Sequence, residues 1–332
     1  MVFEEVSRVG NGIVKVTSHH CEEDSGEDGE RTGTKKLEWR VLRFNETTRQ
    51  SVAKVAVTWD PTQKRTVEIC QVQCLAFEYL KTMGALAITI MSAREKKEGW
   101  IKALFVGLGG GSLPLYLQHK WSGLCQCHIV ELDETVLHAA STGMGLSPYL
   151  FKSENFKVFL EDGAKFIQAG AREKSDAPYD LIVIDAFDGA DEIPKPFRTL
   201  DTDCLRQMNS ILHPSHGTVL LNMHGGKITS AFEWEIQKLL GAKNPGFNWT
   251  DPLGRQIVEI SQAYICALQP RSAFTVSCSK QDNIILVLSN TASLSRKKMA
   301  HLATGIATKS DVEFRLDNRV QRHFWDLKKD QR

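Results

Sequence analysis

With 332 residues, 42% of them hydrophobic and 8% aromatic, the chain can bury one large core or a large core with a smaller satellite. Its 41 basic and 40 acidic residues leave a formal charge of +1, so no overall basic field points to nucleic acid. No run approaches the roughly 18 uninterrupted apolar residues of a membrane span, and "MVFEEVSRVG" carries acids where a secretory signal needs an apolar stretch; both point to a cytoplasmic protein with no membrane partner.

The first 85 residues read as a small β-hairpin domain. "GIVKVTSHH" (12–20), "LEWRVLRFN" (37–45), "SVAKVAVTWD" (51–60) and "RTVEICQVQC" (65–74) are rich in β-branched and aromatic residues and partly alternate. Between the first two lies "CEEDSGEDGERTGTKK" (21–36), which has nothing apolar to offset the entropy of ordering and reads as a mobile acidic loop. His19, His20 and Cys21 at its start form a weak metal-ligand cluster, and a solvated loop is the better reading of them. The eight cysteines do not show paired zinc spacing, so they read as free thiols in a reducing compartment.

From "CLAFEYLKTMGALAITIM" (74–91) the apolar spacing lengthens to helical period. Residues 86–332 then repeat one pattern. "IKALFVGLG", "CQCHIVELD", "FKVFLED", "YDLIVIDAF" and "GTVLLNM" are short apolar runs, most of them closing on Gly, Asp, Glu or Asn. Helix candidates such as "DETVLHAAST", "GAKFIQAGAREK" and "LDTDCLRQMNSIL" lie between them. Continuous apolar strands alternating with helices predict an α/β fold with a doubly wound, mostly parallel sheet, whose ligand sits beyond the carboxyl ends of the strands. A long connection at 224–256 reads as an insertion, either a lid or a surface helix packed through Phe232, Trp234 and Leu239. The basic segment 295–332 reads as an amphipathic helix.

The candidate site lies at those strand ends. Gly107-Leu108-Gly109-Gly110-Gly111 follows a strand and precedes a helix, so its backbone can approach a ligand and present amides at a helix N-terminus. Glu131, with Leu132 beside it, closes the next strand about 20 residues on, where an acid accepts hydrogen bonds from ribose hydroxyls. Asp162-Gly163 ends the third strand and suits an adenine amino group; Asp185 ends the fourth, with Asp188 three residues later. Each acid alone also reads as a turn former or a helix cap. Together they favour a nucleoside ligand. The missing Lys-Ser/Thr argues against a triphosphate, and the glycines alone would also admit a dinucleotide dehydrogenase.

The ordered set "VGLGGGSL", "VELD", "LEDGAKFI" and "YDLIVIDAFDG" resembles the spermidine synthase-like branch of adenosylmethionine-dependent methyltransferases. It is most similar to the C-terminal half of the methyltransferase-like protein thirteen family. The likeness extends to "WRVLRFNETTRQSVAKV", "LAFEYLKTMGALA" and the antiparallel pair around "FTVSCSKQDNIILVLSN". It implies a Rossmann-like methyltransferase fold with an antiparallel edge pair, and S-adenosyl-L-methionine as cofactor with S-adenosylhomocysteine as product. Under it, Gly107, Gly109, Gly110 and Gly111 line the donor, Glu131 and Leu132 meet the ribose side, and Asp162 with Gly163 faces adenine. Asp185 and Asp188 are the catalytic candidates beside the acceptor amine. Phe187 and Tyr79 read first as core residues, with an aromatic wall for the sulfonium as the alternative. The implied acceptor is a protein amine, on translation elongation factor one-alpha, and a homodimer is compatible with the resemblance.

The same branch contains aminopropyltransferases, which transfer from decarboxylated adenosylmethionine and carry an Asp inside the glycine loop. Gly110 stands there in this chain, which favours the intact donor, because a carboxylate at that place would repel the methionyl carboxylate. An aminopropyltransferase, or a non-catalytic scaffold on the same fold, are the alternatives.

Overall fold

The computed structural model describes residues 1–21, 36–44, 49–62, 64–94, 99–121, 123–147, 150, 153–173, 178–187, 192–224, 252–278, 283–292, 294–310 and 324–327. The acidic loop, Asp188 and most of the 224–256 insertion therefore lie outside the described residues. The chain divides into two compact units. The first comprises Met1–Leu80, Gly99–Phe166 and Phe187–Glu192; the second comprises Lys81–Glu98, Ile167–Ala186 and Ile193–Arg332.

The first unit opens with a five-stranded antiparallel sheet in chain order: β1 (Phe3–Val6), β2 (Ile13–His20), β3 (Lys36–Arg43), β4 (Arg49–Asp60) and β5 (Arg65–Cys70). The alternation of "IVKVTSHH" buries Val14 and Val16 completely. After α1 (Glu78–Ser92), which runs on into the second unit, come β6 (Ile101–Val106), α2 (Ser112–Lys120), β7 (Cys125–Glu131), α3 (Glu134–Thr142) and β8 (Phe156–Leu160). Strands β6, β7 and β8 are parallel neighbours in that order. Val14, Val16, Leu42, Ala53 and Val55 of the antiparallel sheet form one core with Val136 and Ala139 of α3 and with Met144. Arg40 is buried there, donating to Glu38 and Glu68 and to the Gly143 carbonyl.

Helix α4 (Gly163–Glu173) leads into the second unit, which holds β9 (Leu181–Ile184), α5 (Cys204–Ile211), β10 (Thr218–His224), α6 (Pro252–Leu268), β11 (Ser272–Ser277), β12 (Asn283–Ser289), α7 (Arg296–Ser310) and β13 (Phe324–Asp326). Strand β9 is parallel to β10, and beyond β10 lie β12, β11 and β13, each antiparallel to its neighbour. Every residue of β12 and nearly every residue of β10 is buried, which is why both read as continuous apolar runs. Residues 252–256, the end of the expected insertion, are the first turn of α6, which buries Ile257, Ile260, Tyr264 and Leu268 at helical spacing. In the C-terminal segment Arg296–Ser310 is the helix α7, and "FWD" is a strand paired with β11. Among the described residues no helix is long and apolar enough to cross a membrane.

Candidate functional site

The glycine loop connects β6 to α2. Gly107, Gly109 and Gly111 all have positive φ (97°, 51° and 73°), a conformation that costs any residue with a Cβ. The chain can therefore turn from a buried strand into a buried helix within five residues, closed by bonds from the Gly107 amide to the Val130 carbonyl and from the Gly111 amide to Leu108 (both 2.9 Å). Gly110 is a glycine for a different reason. A Cβ there would lie 2.7 Å from Ser51 Oγ and 2.8 Å from Met144 Cε. Ser51, on β4, accepts a hydrogen bond from the Gly110 amide at 3.0 Å and is itself buried. The antiparallel sheet thus reaches into the loop and fills the space that a side chain at 110 would need.

Glu131 ends β7 only 8% exposed. Its Oε2 accepts from the Leu108 amide of the glycine loop and its Oε1 from the Asp133 amide, both at 2.9 Å. Burial pushes its carboxyl above the usual range, against the pull of these amides and that of Leu132. Three backbone amides on a carboxylate with about four acceptor positions leave capacity for a ribose hydroxyl. Leu132 is 54% exposed beside it, an apolar surface at the edge of a buried carboxylate. Asp133, nearly fully buried, caps α3 through Thr135 N and accepts from the side chain of Asn11 at 2.8 Å. The structure therefore brings Gly107–Gly111 and Glu131 together, tied by a direct bond.

Asp162 stands at the end of β8 as the cap of α4, its Oδ1 accepting from Ala164 N (2.8 Å) and Lys165 N (3.1 Å) while Oδ2 stays outside those bonds. Gly163 opens that helix. The capping role is real, and it leaves one oxygen for a ligand.

In the second unit Asp185 follows β9 directly. Its Oδ1 accepts from Asn222 Nδ2 at 2.8 Å, and Asn222 Oδ1 accepts from Asn283 Nδ2 at 3.0 Å, with both asparagines buried. This relay through β10 and β12 fixes the carboxylate of a half-buried residue. Asn283 had no signal in the sequence, since it begins an apolar strand and its partner lies 61 positions away. Tyr79 is stacked on Phe77, with centroids 5.6 Å apart.

No known protein-family model matches the chain. In sequence it is similar to the eEF1A lysine and N-terminal methyltransferase of Bos taurus, 33% identical over 159 residues, which is 45% of this chain and 21% of that protein. The Homo sapiens protein of the same name is 34% identical over 155 residues, again 45% of this chain and 21% of the relative. The match thus spans about a fifth of the length of these methyltransferases. In structure the chain resembles a probable spermidine synthase from Corynebacterium glutamicum, with a TM-score of 0.51 and 17% identity over 89% of each chain. That likeness shows the fold: Rossmann-like, mostly parallel with antiparallel edge strands, preceded by an antiparallel β-sheet.

Proposed function

We propose that the chain is an S-adenosyl-L-methionine-dependent methyltransferase acting on an amine of a protein substrate. The observation that carries this reading is the filled volume at Gly110. The loop that resembles that of aminopropyltransferases lacks their carboxylate, and a side chain at 110 would meet Ser51 Oγ and the Met144 methyl, which would have to move to admit one.

The residues present fit the cofactor. The three left-handed glycines let the loop backbone pass close to a ligand, Glu131 offers buried acceptor capacity to ribose hydroxyls, Leu132 supplies an apolar surface, and Asp162 retains an oxygen outside its capping bonds for the adenine amino group. When bound, the cofactor supplies a sulfonium-activated methyl group; the amine–carbon bond forms as the sulfur–carbon bond breaks, leaving S-adenosylhomocysteine and a proton. No nucleophilic side chain is needed. The protein's work is alignment and exclusion of water. By resemblance, Asp185, held by Asn222, is the residue given to the acceptor amine: its carboxylate accepts an N–H and stabilises the ammonium that develops. Asp188 is kept as a second acceptor-side candidate by resemblance.

The acceptor follows from the matched relatives, whose name specifies eEF1A, so the first substrate to try is translation elongation factor one-alpha. The test is calorimetric titration with S-adenosyl-L-methionine and with its decarboxylated form, Glu131→Ala as control, then labelling of eEF1A with tritiated donor. Binding of the intact donor, lost in Glu131→Ala and followed by label on eEF1A, is expected. Preference for the decarboxylated donor would make the chain an aminopropyltransferase, and binding of neither would make it a scaffold.

A further inference from the structure

Ser51 has a property beyond filling space. Its oxygen is committed as acceptor to the Gly110 amide, yet none of the described residues accepts its own proton, although the residue is only 6% exposed. A buried hydroxyl with an unspent donor is normally answered by water or by a ligand acceptor. It lies against Gly109 as well, where a Cβ would be 3.5 Å from Ser51 Oγ. The unspent donor therefore sits at two of the four glycines that line the donor in the reading above.

We propose that Ser51 is the donor-selecting residue of this loop. It gives its hydroxyl hydrogen to the carboxylate at the methionyl end of the intact donor, a group the decarboxylated donor lacks. The inference rests on the methyltransferase reading and adds to it an active criterion. The absence of an acid at 110 merely permits a carboxylate, whereas Ser51 recognises one. It also gives the antiparallel sheet a task, since β4 carries the only side chain described as hydrogen bonding to a loop amide between Gly109 and Gly111.

A hydrogen bond to a charged group corresponds to roughly tenfold or more in affinity. The experiment measures the dissociation constants of both donors by calorimetry for the full chain, Ser51→Ala and Ser51→Cys, with melting curves for each. The expected result is an affinity for S-adenosyl-L-methionine that falls about tenfold in Ser51→Ala while that for the decarboxylated donor changes little, so the ratio of the two collapses. Ser51→Cys keeps a side chain against Gly110 but is a poor donor, and it should move the ratio the same way if the alanine variant melts too low to titrate. A purely structural serine would weaken both donors alike and leave the ratio unchanged; that outcome overturns this inference and spares the methyltransferase reading. If the parent chain itself prefers the decarboxylated donor or binds neither, that reading fails first and the role of Ser51 falls with it.

Discussion

The bond between Asn11 and Asp133 joins the first hairpin to the helix that follows Glu131, and its strength can be measured by a double-mutant cycle. Asp133 is 1% exposed; Oδ1 caps Thr135 N at 2.9 Å and Oδ2 takes the Asn11 amide at 2.8 Å. Replacing Asp133 by Ala removes a cap worth about 1 kcal/mol. It also leaves the half-buried Asn11 without its charged acceptor, about another 1–2 kcal/mol. The expected loss is about 2–3 kcal/mol, which at a typical slope lowers the urea midpoint by roughly 1 M. Asn11→Ala removes only the second contribution. The double variant should lose less than the sum of the singles, with a coupling of about 1–2 kcal/mol. The Asn11→Asp, Asp133→Asn exchange should recover much of the loss, because the carboxylate and the amide trade places while an oxygen still caps the helix. A coupling below about 0.5 kcal/mol would refute the claim that this bond anchors the hairpin.

Glu131→Gln cannot accept from both the Leu108 and Asp133 amides, because one of them would face an NH2 group. Donor affinity measured by calorimetry should fall at least about tenfold, with circular dichroism unchanged. Asn222→Leu frees Asp185 and leaves the buried Asn283 amide without its acceptor; methyl transfer should drop about tenfold while donor affinity holds, and a parallel fall in affinity would argue against a separate role for Asp185. His128 is held down at about 4 by burial, with Lys102 and Lys157 adding to it, against an ordinary 6.5. The unfolded chain therefore binds its proton first, and stability present above pH 6.5 should decline as pH falls toward 4. Discounted for partial exposure, the loss is roughly 1–2 kcal/mol. His128→Gln should flatten that part of the pH profile of the denaturation midpoint.

What the sequence made legible follows from what periodicity reports. Apolar runs ending in Gly107, Glu131, Asp162 and Asp185 marked four strands; in β6 and β9 this is because nearly every residue is buried, whereas β7 partly alternates and β8 buries only Phe156. The same logic could not find β1, whose "FEEV" has no buried residue, or β13, which is three residues long and set in a charged tail. Partners were hidden altogether. Arg40 alternates like any surface residue yet is buried because Glu38 and Glu68 answer it. Gly110 was seen to lack an acid, but its reason, a serine 59 positions away, belongs to tertiary packing.

That difference among the glycines yields a sharper test than replacing each in turn. At Gly109 the constraint is the backbone, since φ of +51° strains any L side chain although the space around it is ordinary. At Gly110 the constraint is Ser51 Oγ at 2.7 Å; Ser51 Cβ is 3.5 Å away, an acceptable contact, and the Met144 methyl at 2.8 Å is the far end of a flexible chain. Gly109→Ala and Gly110→Ala should each cost about 1–3 kcal/mol. Adding Ser51→Ala should relieve Gly110→Ala in part, since it removes the clash but also the acceptor for the loop amide, and it should give Gly109→Ala nothing. The measurement is the urea midpoint of the two single and two double variants. Equal behaviour of the pairs would mean that the loop yields as a whole, and that the volume at 110 is not what excludes a side chain.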